Sequence, residues 1–226
     1  MIFTFWEGKK PAYIEMCQET WNFLYVELNY DNLHQWTDLP VDKLQRFTLP
    51  QIADCVRVHV LRDNGGQWLD ADTIVLDKRL PNVTVLGDPT RRTNSIGYLN
   101  SYYHPDMFRD WAEYQDMILE GYGDRETWSI MGNSFTDPYL LERRDIEIGD
   151  IQAHCPERYM ILGDSPRWEK YRRLYFDMSR QLHEFEPTSM IMLHNSWTPD
   201  WYKDLYREEV LDFDVTLSNI LATVIR

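Results

Sequence analysis

The stretch Asn64-Gly65-Gly66-Gln67-Trp68-Leu69-Asp70-Ala71-Asp72-Thr73-Ile74-Val75-Leu76 joins the end of one kind of local structure to the start of another. Before it, Pro50 suits the start of a helix over residues 51–62, in which Ile52, Val56 and Val60 form one stripe, because residues four apart share a helical face. Asn64-Gly65-Gly66 stops that helix, since glycine accepts the left-handed backbone of a helix end. Residues 67–69 then extend as a short strand, and residues 73–76 continue as strand. The sequence helix, glycine stop, strand thus delivers Asp70 and Asp72 to the edge of a sheet, where α/β proteins hold their ligands.

The same alternation continues outward. Residues 2–6 predict a first strand, and Pro11 suits the first turn of a helix with Ile14, Cys17, Trp21 and Leu24 near one face. Residues 24–28 return as strand, and the polar, turn-rich residues 31–50 hold one short helix near 41–47. Downstream, residues 83–86 and 96–100 predict strands, and Pro105–Leu119 a helix whose Phe108, Trp111, Ala112, Gln115, Ile118 and Leu119 cluster. Residues 158–162 predict a strand, Trp168, Tyr171, Tyr175, Met178 and Leu182 a helical stripe, and residues 190–193 a late strand. The apolar tail, residues 217–226, is expected to dock on the fold. Strands alternating with helices predict an α/β fold, a sheet of mixed strand direction with helices on its faces. No linker is long enough to divide it, so residues 1–226 are expected to form a single domain.

Composition narrows the function. The 226 residues carry 23 basic and 37 acidic side chains, a formal charge of −14. Such a surface repels phosphate backbones, which argues against a nucleic-acid partner. An acidic protein that handles phosphates must neutralise them locally, with a cation or a few placed basic groups. Aromatics make up 14%, including nine Trp, so some are expected to line a cleft while most serve the core. Cys17, Cys55 and Cys155 have no zinc-site spacing. The N-terminus is unlike a signal peptide, and no run approaches 18 apolar residues. A cytoplasmic protein with no transmembrane segment is the expectation.

A bare Asp-x-Asp proves little, because 22 aspartates give about two such triplets by chance. Asp212-Phe213-Asp214 is a second one and is assigned no role. The setting distinguishes the first. In extended backbone, residues i and i+2 point the same way, so Asp70 and Asp72 are expected to aim at one small volume. Left alone they would repel and raise one pKa. A hard divalent cation, Mn²⁺ or Mg²⁺, resolves this and keeps positions for substrate phosphates. The competing possibility is two solvated turn aspartates. A phosphatase of the haloacid-dehalogenase type, with Asp70 as nucleophile, would place the motif at the end of the first strand, whereas 69 residues precede it here. A glycosidase needs carboxylates on opposite sides of the bond, which strand neighbours facing one way do not supply.

Asp54 and Arg57, followed by Leu61, Gly65-Gly66, Trp68 and Asp70-Ala71-Asp72, resemble glycosyltransferase family 32 and its relatives, which include capsular polysaccharide synthesis proteins. Phe5-Trp6-Glu7-Gly8 with Pro11 resembles the opening strand and Trp-x-Gly turn of that family. The resemblance implies a GT-A-like fold, a nucleotide-sugar donor that is expected to be a UDP-sugar, a glycan acceptor and a metal-dependent transfer between them. It implies that Trp6 stacks on the base, that Asp54 and Arg57 meet sugar hydroxyls and phosphate, and that Gly65, Gly66 and Ala71 let backbone approach the donor. His194-Asn195-Ser196-Trp197 resembles the closing segment of the family, which makes His194 an expected metal ligand with Asp70 and Asp72, and Trp197 a donor contact. For Arg57 and Asp54 taken alone, a surface ion pair on one helix is the plain alternative. Asp137 and Glu126 are candidates for a base near the acceptor. A non-catalytic nucleotide-sugar binder remains the alternative from another class. Oligomeric state is not legible.

Overall fold

The computed structural model describes residues 1–121 and 127–225. In chain order they form β1 (Ile2–Phe5), α1 (Ala12–Glu19), β2 (Tyr25–Leu28), α2 (Val41–Leu44), α3 (Leu49–Asn64), β3 (Gln67–Leu69), β4 (Thr73–Val75), β5 (Val85–Asp88) and β6 (Thr93–Asn100). There follow α4 (Pro105–Leu119), α5 (Asn133–Glu142), β7 (Ile148–Asp150), α6 (Glu157–Met160), α7 (Arg167–Phe176), β8 (Met190–Met192), α8 (Asp200–Lys203), α9 (Arg207–Asp212) and α10 (Thr216–Val224). None of the described helices is long and apolar enough to cross a membrane.

Contacts group the chain into two compact units: residues 1–7, 24–70 and 82–151 form the first, and residues 8–23, 71–81 and 152–226 the second. The first holds a six-stranded sheet in the order β2-β1-β3-β6-β5-β7. Only β6 runs against the others, so the sheet is mixed and mostly parallel. Helices α3 and α5 pack on it and α4 packs on both of them, giving the α/β class expected from the alternation of elements. The strand order reverses beside β1: β2 lies on one side of it and β3 on the other. Both neighbours are parallel to β1, so their C-terminal ends share one edge at a topological switch point, the place where open α/β sheets take ligands.

Helix α3 shows how local and tertiary terms agree. Thr48 and Gln51 close a capping box at its start, with Pro50 in the first turn, and Gly65 (φ 64°) caps its end. Ile52, Val56 and Val60 are buried as the stripe predicts, and Cys55, Val58 and Leu61 are buried too, because α3 packs against β1, β3 and α4. Each such aliphatic side chain contributes about 1.5–3 kcal/mol when fully buried. Gly66 (φ 115°) passes so close to the first residue that a Cβ there would stand 2.6 Å from the Met1 carbonyl oxygen.

The second unit pairs β4 and β8 antiparallel, Thr73 opposite Met192. Helix α1 packs on β4, α9 packs on α1, and α10 joins α9 to α7, with Tyr13, Tyr171, Tyr175 and Tyr202 fully buried. The residues 217–226 expected to dock fall largely in α10, where Leu217, Ile220 and Leu221 are buried.

Several local expectations change. Residues 158–162 are not a strand: Glu157–Met160 is the short helix α6, a case in which a brief apolar run does not distinguish the two states. Helix α1 ends at Glu19, where the Thr20 hydroxyl bonds the Cys17 carbonyl (2.6 Å); Trp21 lies beyond it and Leu24 is 95% exposed. Helix α7 stops at Phe176, before Met178 and Leu182. Asp70-Ala71-Asp72 is not extended backbone, since the chain turns at Ala71-Asp72. The reason is that β3 and β4 belong to different sheets, so the period-two argument for parallel carboxylates does not apply.

Candidate active site

In the first unit the site grows from the ends of β1 and β3. Phe3 pairs with Trp68 in parallel register, so Trp6 and Asp70 leave the sheet at the same edge. Asp70 is fixed by its backbone N–H on the Gly97 carbonyl (2.9 Å) and by the Trp68 indole, which donates to its carboxylate (2.8 Å). Helix α3 carries Asp54 and Arg57 to the same place. The Arg57 guanidinium lies 3.1 Å from the Asp54 carboxylate and 3.4 Å from that of Asp70, with its side chain 6% exposed. It also donates to the Ala53 and Ile96 carbonyls and lies over the Trp68 ring, 5.1 Å from the centroid. Asp54 and Arg57 are therefore no surface ion pair. Their forked contacts fix one buried cation between two carboxylates, an arrangement that loses several kcal/mol if one charge is left alone.

Burial pushes the Asp54 carboxyl up to about 7; Arg57 opposes that shift and the Asp70 charge adds to it. A Cβ on Gly132 would stand 3.2 Å from the Asp54 carboxylate, so the start of α5 closes over this group. There Asn133 donates to the Asn94 carbonyl (2.8 Å) and to Asp137 (3.3 Å), and Thr136 donates to the Asn94 side chain (2.6 Å). Asp137 thus stands one helical turn from Asn133, on the element that touches Asp54. Trp6 donates its backbone N–H to Leu28 (3.0 Å), while its indole N–H is buried without a partner among the described residues. Buried donors are rarely left unmatched, so this one is a candidate for a ligand acceptor. Gly65 and Gly66 precede β3, at its other end from Asp70, and the close approach that Gly66 permits is to Met1. Glu126 lies outside the described residues.

In the second unit, the β4–β8 pairing sets Asp72 beside residues 193–195. The Asn195 N–H donates to the Asp72 carboxylate (2.7 Å), and the Tyr13 hydroxyl donates to the Asn195 side chain (2.6 Å). Ala71 is buried. His194, expected as a metal ligand, accepts at Nε2 from Arg167 (2.6 Å) and packs against Trp197, with centroids 4.1 Å apart. Burial holds its pKa well below the usual imidazole value, and Arg167 and Arg158 add to this, which suits a neutral acceptor. Arg167 also donates to the fully buried Glu157 (2.8 Å) and to the Cys155 sulfur (3.0 Å). Cys155, Glu157 and His194 each offer one ligand atom within 4.8 Å of the others, yet the guanidinium already serves all three. Asn94, Asn133, Tyr13 and Arg167 had no role in the sequence reasoning. Asn195, next to His194, was the most accessible of the missed polar groups.

A family model described as capsular polysaccharide synthesis protein matches residues 2–145. No curated protein matches the chain, and no solved structure does. The matched span contains Trp6, Asp54, Arg57, Asp70, Asp72 and Asp137, and it covers well over half of the chain. The chain belongs to the family of capsular polysaccharide synthesis proteins.

Proposed function

We propose that this chain is a metal-dependent glycosyltransferase that moves a sugar from a nucleoside-diphosphate donor, a UDP-sugar, to a hydroxyl of a glycan acceptor. The observation that carries this is the placement of Trp6, Asp54, Arg57 and Asp70 at the C-terminal edge of the parallel strands, where the strand order reverses. Family membership supports a sugar-transfer role in polysaccharide assembly.

The carboxylates of Asp70 and Asp72, separated in the chain by Ala71 alone, are the hard oxygen donors that Mn²⁺ or Mg²⁺ prefers. Asp70 keeps 35% of its side chain exposed, and its partners are one indole N–H and one guanidinium, so it retains capacity for a cation. When bound, the metal offsets negative charge on the leaving diphosphate. Arg57 holds Asp54 and Asp70 at fixed spacing and contributes positive charge on the donor side. Trp6 offers a ring face for the base and a buried N–H for a ligand oxygen. Asp54, whose carboxyl burial pushes up to about 7, is the candidate for hydrogen bonding to a sugar hydroxyl. The Asn195 N–H orients Asp72. Asp137 stands on α5 as the candidate group on the acceptor side.

Calorimetry of UDP binding with and without Mn²⁺ tests the donor site. Metal-dependent binding that is lost in Asp72→Ala is expected; metal-independent binding, unchanged in that variant, overturns the proposal. A screen of nucleotide-sugar hydrolysis identifies the donor, and tight UDP binding with no turnover on any sugar nucleotide would leave a binder in place of an enzyme.

A further inference from the structure

Against a charge of −14, residues 158–173 concentrate Arg158, Arg167, Lys170, Arg172 and Arg173. Three of them, Arg158, Arg167 and Lys170, line one cleft of about 290 Å³ with Gln152 and Ser165, and no acidic side chain shares that lining. Arg158 and Lys170 have no carboxylate partner among the described residues, and the Arg158 guanidinium meets the Cys155 sulfur. Arg167 is held differently. Its Nε and Nη2 are committed to the buried Glu157, to Cys155 and to His194, which fixes the plane of the guanidinium. Its Nη1 makes no hydrogen bond among the described residues, and the guanidinium lies over the Trp197 ring, 5.2 Å from the centroid.

A second cleft, of about 370 Å³, shares Ser165 and Lys170 with the first. It adds Trp168, 44% exposed, with the Arg172 guanidinium 5.7 Å from its ring centroid. Glu169 and Asp177 also line it, so the positive charge is concentrated in the first cleft and the second is mixed. Cations converging on one concavity repel each other unless an anion joins them, and arginine forks suit planar or tetrahedral oxyanions. The positive end of α7, which begins at Arg167, adds in the same sense.

We propose that the first cleft binds an oxyanion carried by the acceptor glycan, a phosphate or a uronic-acid carboxylate, while Trp168 bounds the adjoining sugar ring. This rests on the transferase function proposed above for the direction of the assignment to an acceptor. The donor diphosphate is assigned to Asp70-Ala71-Asp72, and neither cleft is lined by Asp72, Asn195 or Trp197.

The test is calorimetry at low ionic strength with inorganic phosphate, glucuronate and glucose as separate probes, on the wild-type chain and on the double variant Arg158→Ala, Lys170→Ala. Both substituted groups are outside the proposed donor site, and UDP with Mn²⁺ is titrated in parallel. Phosphate or glucuronate is expected to bind the wild type at least about tenfold more tightly than the double variant, to weaken with added salt, and to leave UDP binding unchanged. Which of the two anions binds more tightly identifies the acceptor group. Equal binding by the variant, no anion binding at all, or glucose binding as well as glucuronate overturns the proposal. So does an equal loss of UDP binding in the variant, which would make the cleft part of the donor site. Anion binding that depends on Arg158 and Lys170, in a chain that binds no UDP, supports the anion site and overturns the transferase proposal.

Discussion

Arg57 touches two carboxylates, two backbone carbonyls and one indole face, and a planar fork is the only basic side chain that can meet these partners together. Lysine keeps the charge but not the fork. Arg57→Lys is therefore expected to remain folded and to weaken UDP–Mn²⁺ binding by about tenfold or more, read by calorimetry. Arg57→Ala leaves Asp54 and Asp70 facing each other without a cation and is expected to cost about 3–5 kcal/mol of stability in urea denaturation. If both variants match the wild type in binding and stability, the guanidinium has neither role.

At the scale of elements, the junction of α3 with β3 is under the tightest steric control. Gly66 combines a positive φ with a would-be Cβ 2.6 Å from the Met1 carbonyl oxygen, so Gly66→Ala must both strain its own backbone and push β1 aside. A loss of about 2–4 kcal/mol is expected, measurable as a lowered Tm, with retained UDP binding in the fraction that folds. Thr48→Ala removes the capping box of α3 and is expected to cost about 1 kcal/mol. These elements were legible because their signals are local: Pro105–Leu119 was delimited by a proline at its first turn and a single apolar stripe. Residues 158–162 misled because five residues are too few to separate periods of two and 3.6. The turn at Ala71-Asp72 was illegible because it exists only where β3 and β4 join different partners.

For the whole molecule, two buried groups of α3 set opposing pH dependences. Asp54 titrates at about 7 in the fold, against 3.8 for an ordinary aspartate, chiefly through burial, with Arg57 opposing and Asp70 adding. The folded state then binds more protons than the unfolded one between these values, so this group lowers stability as pH rises from about 4 to 7. His59 is held at about 4 instead of 6.5, through burial first and then Arg62. The unfolded state binds more protons there, so His59 lowers stability as pH falls from about 6.5 to 4. Each slope is at most about 1.4 kcal/mol per pH unit, and in the wild type they largely cancel. Relative to wild type, urea denaturation of Asp54→Asn should show stability gaining a positive pH slope across this interval, and His59→Leu a negative one. Parallel curves for the wild type and both variants would remove the assignment.

The sequence by itself determined the α/β class and the presence of the strongly patterned helices α3 and α4, because periodicity and caps are properties of neighbouring residues, while the grouping of Asp54, Arg57, Trp68 and Asp70 came from the family resemblance. Tertiary structure decided what those residues touch. Strand pairing placed Trp6 beside the end of β3, burial set Asp54 near neutrality, and α7 brought Arg167 to His194 across 27 residues of chain. These are contacts between segments far apart in sequence, and no local pattern encodes which of them meet.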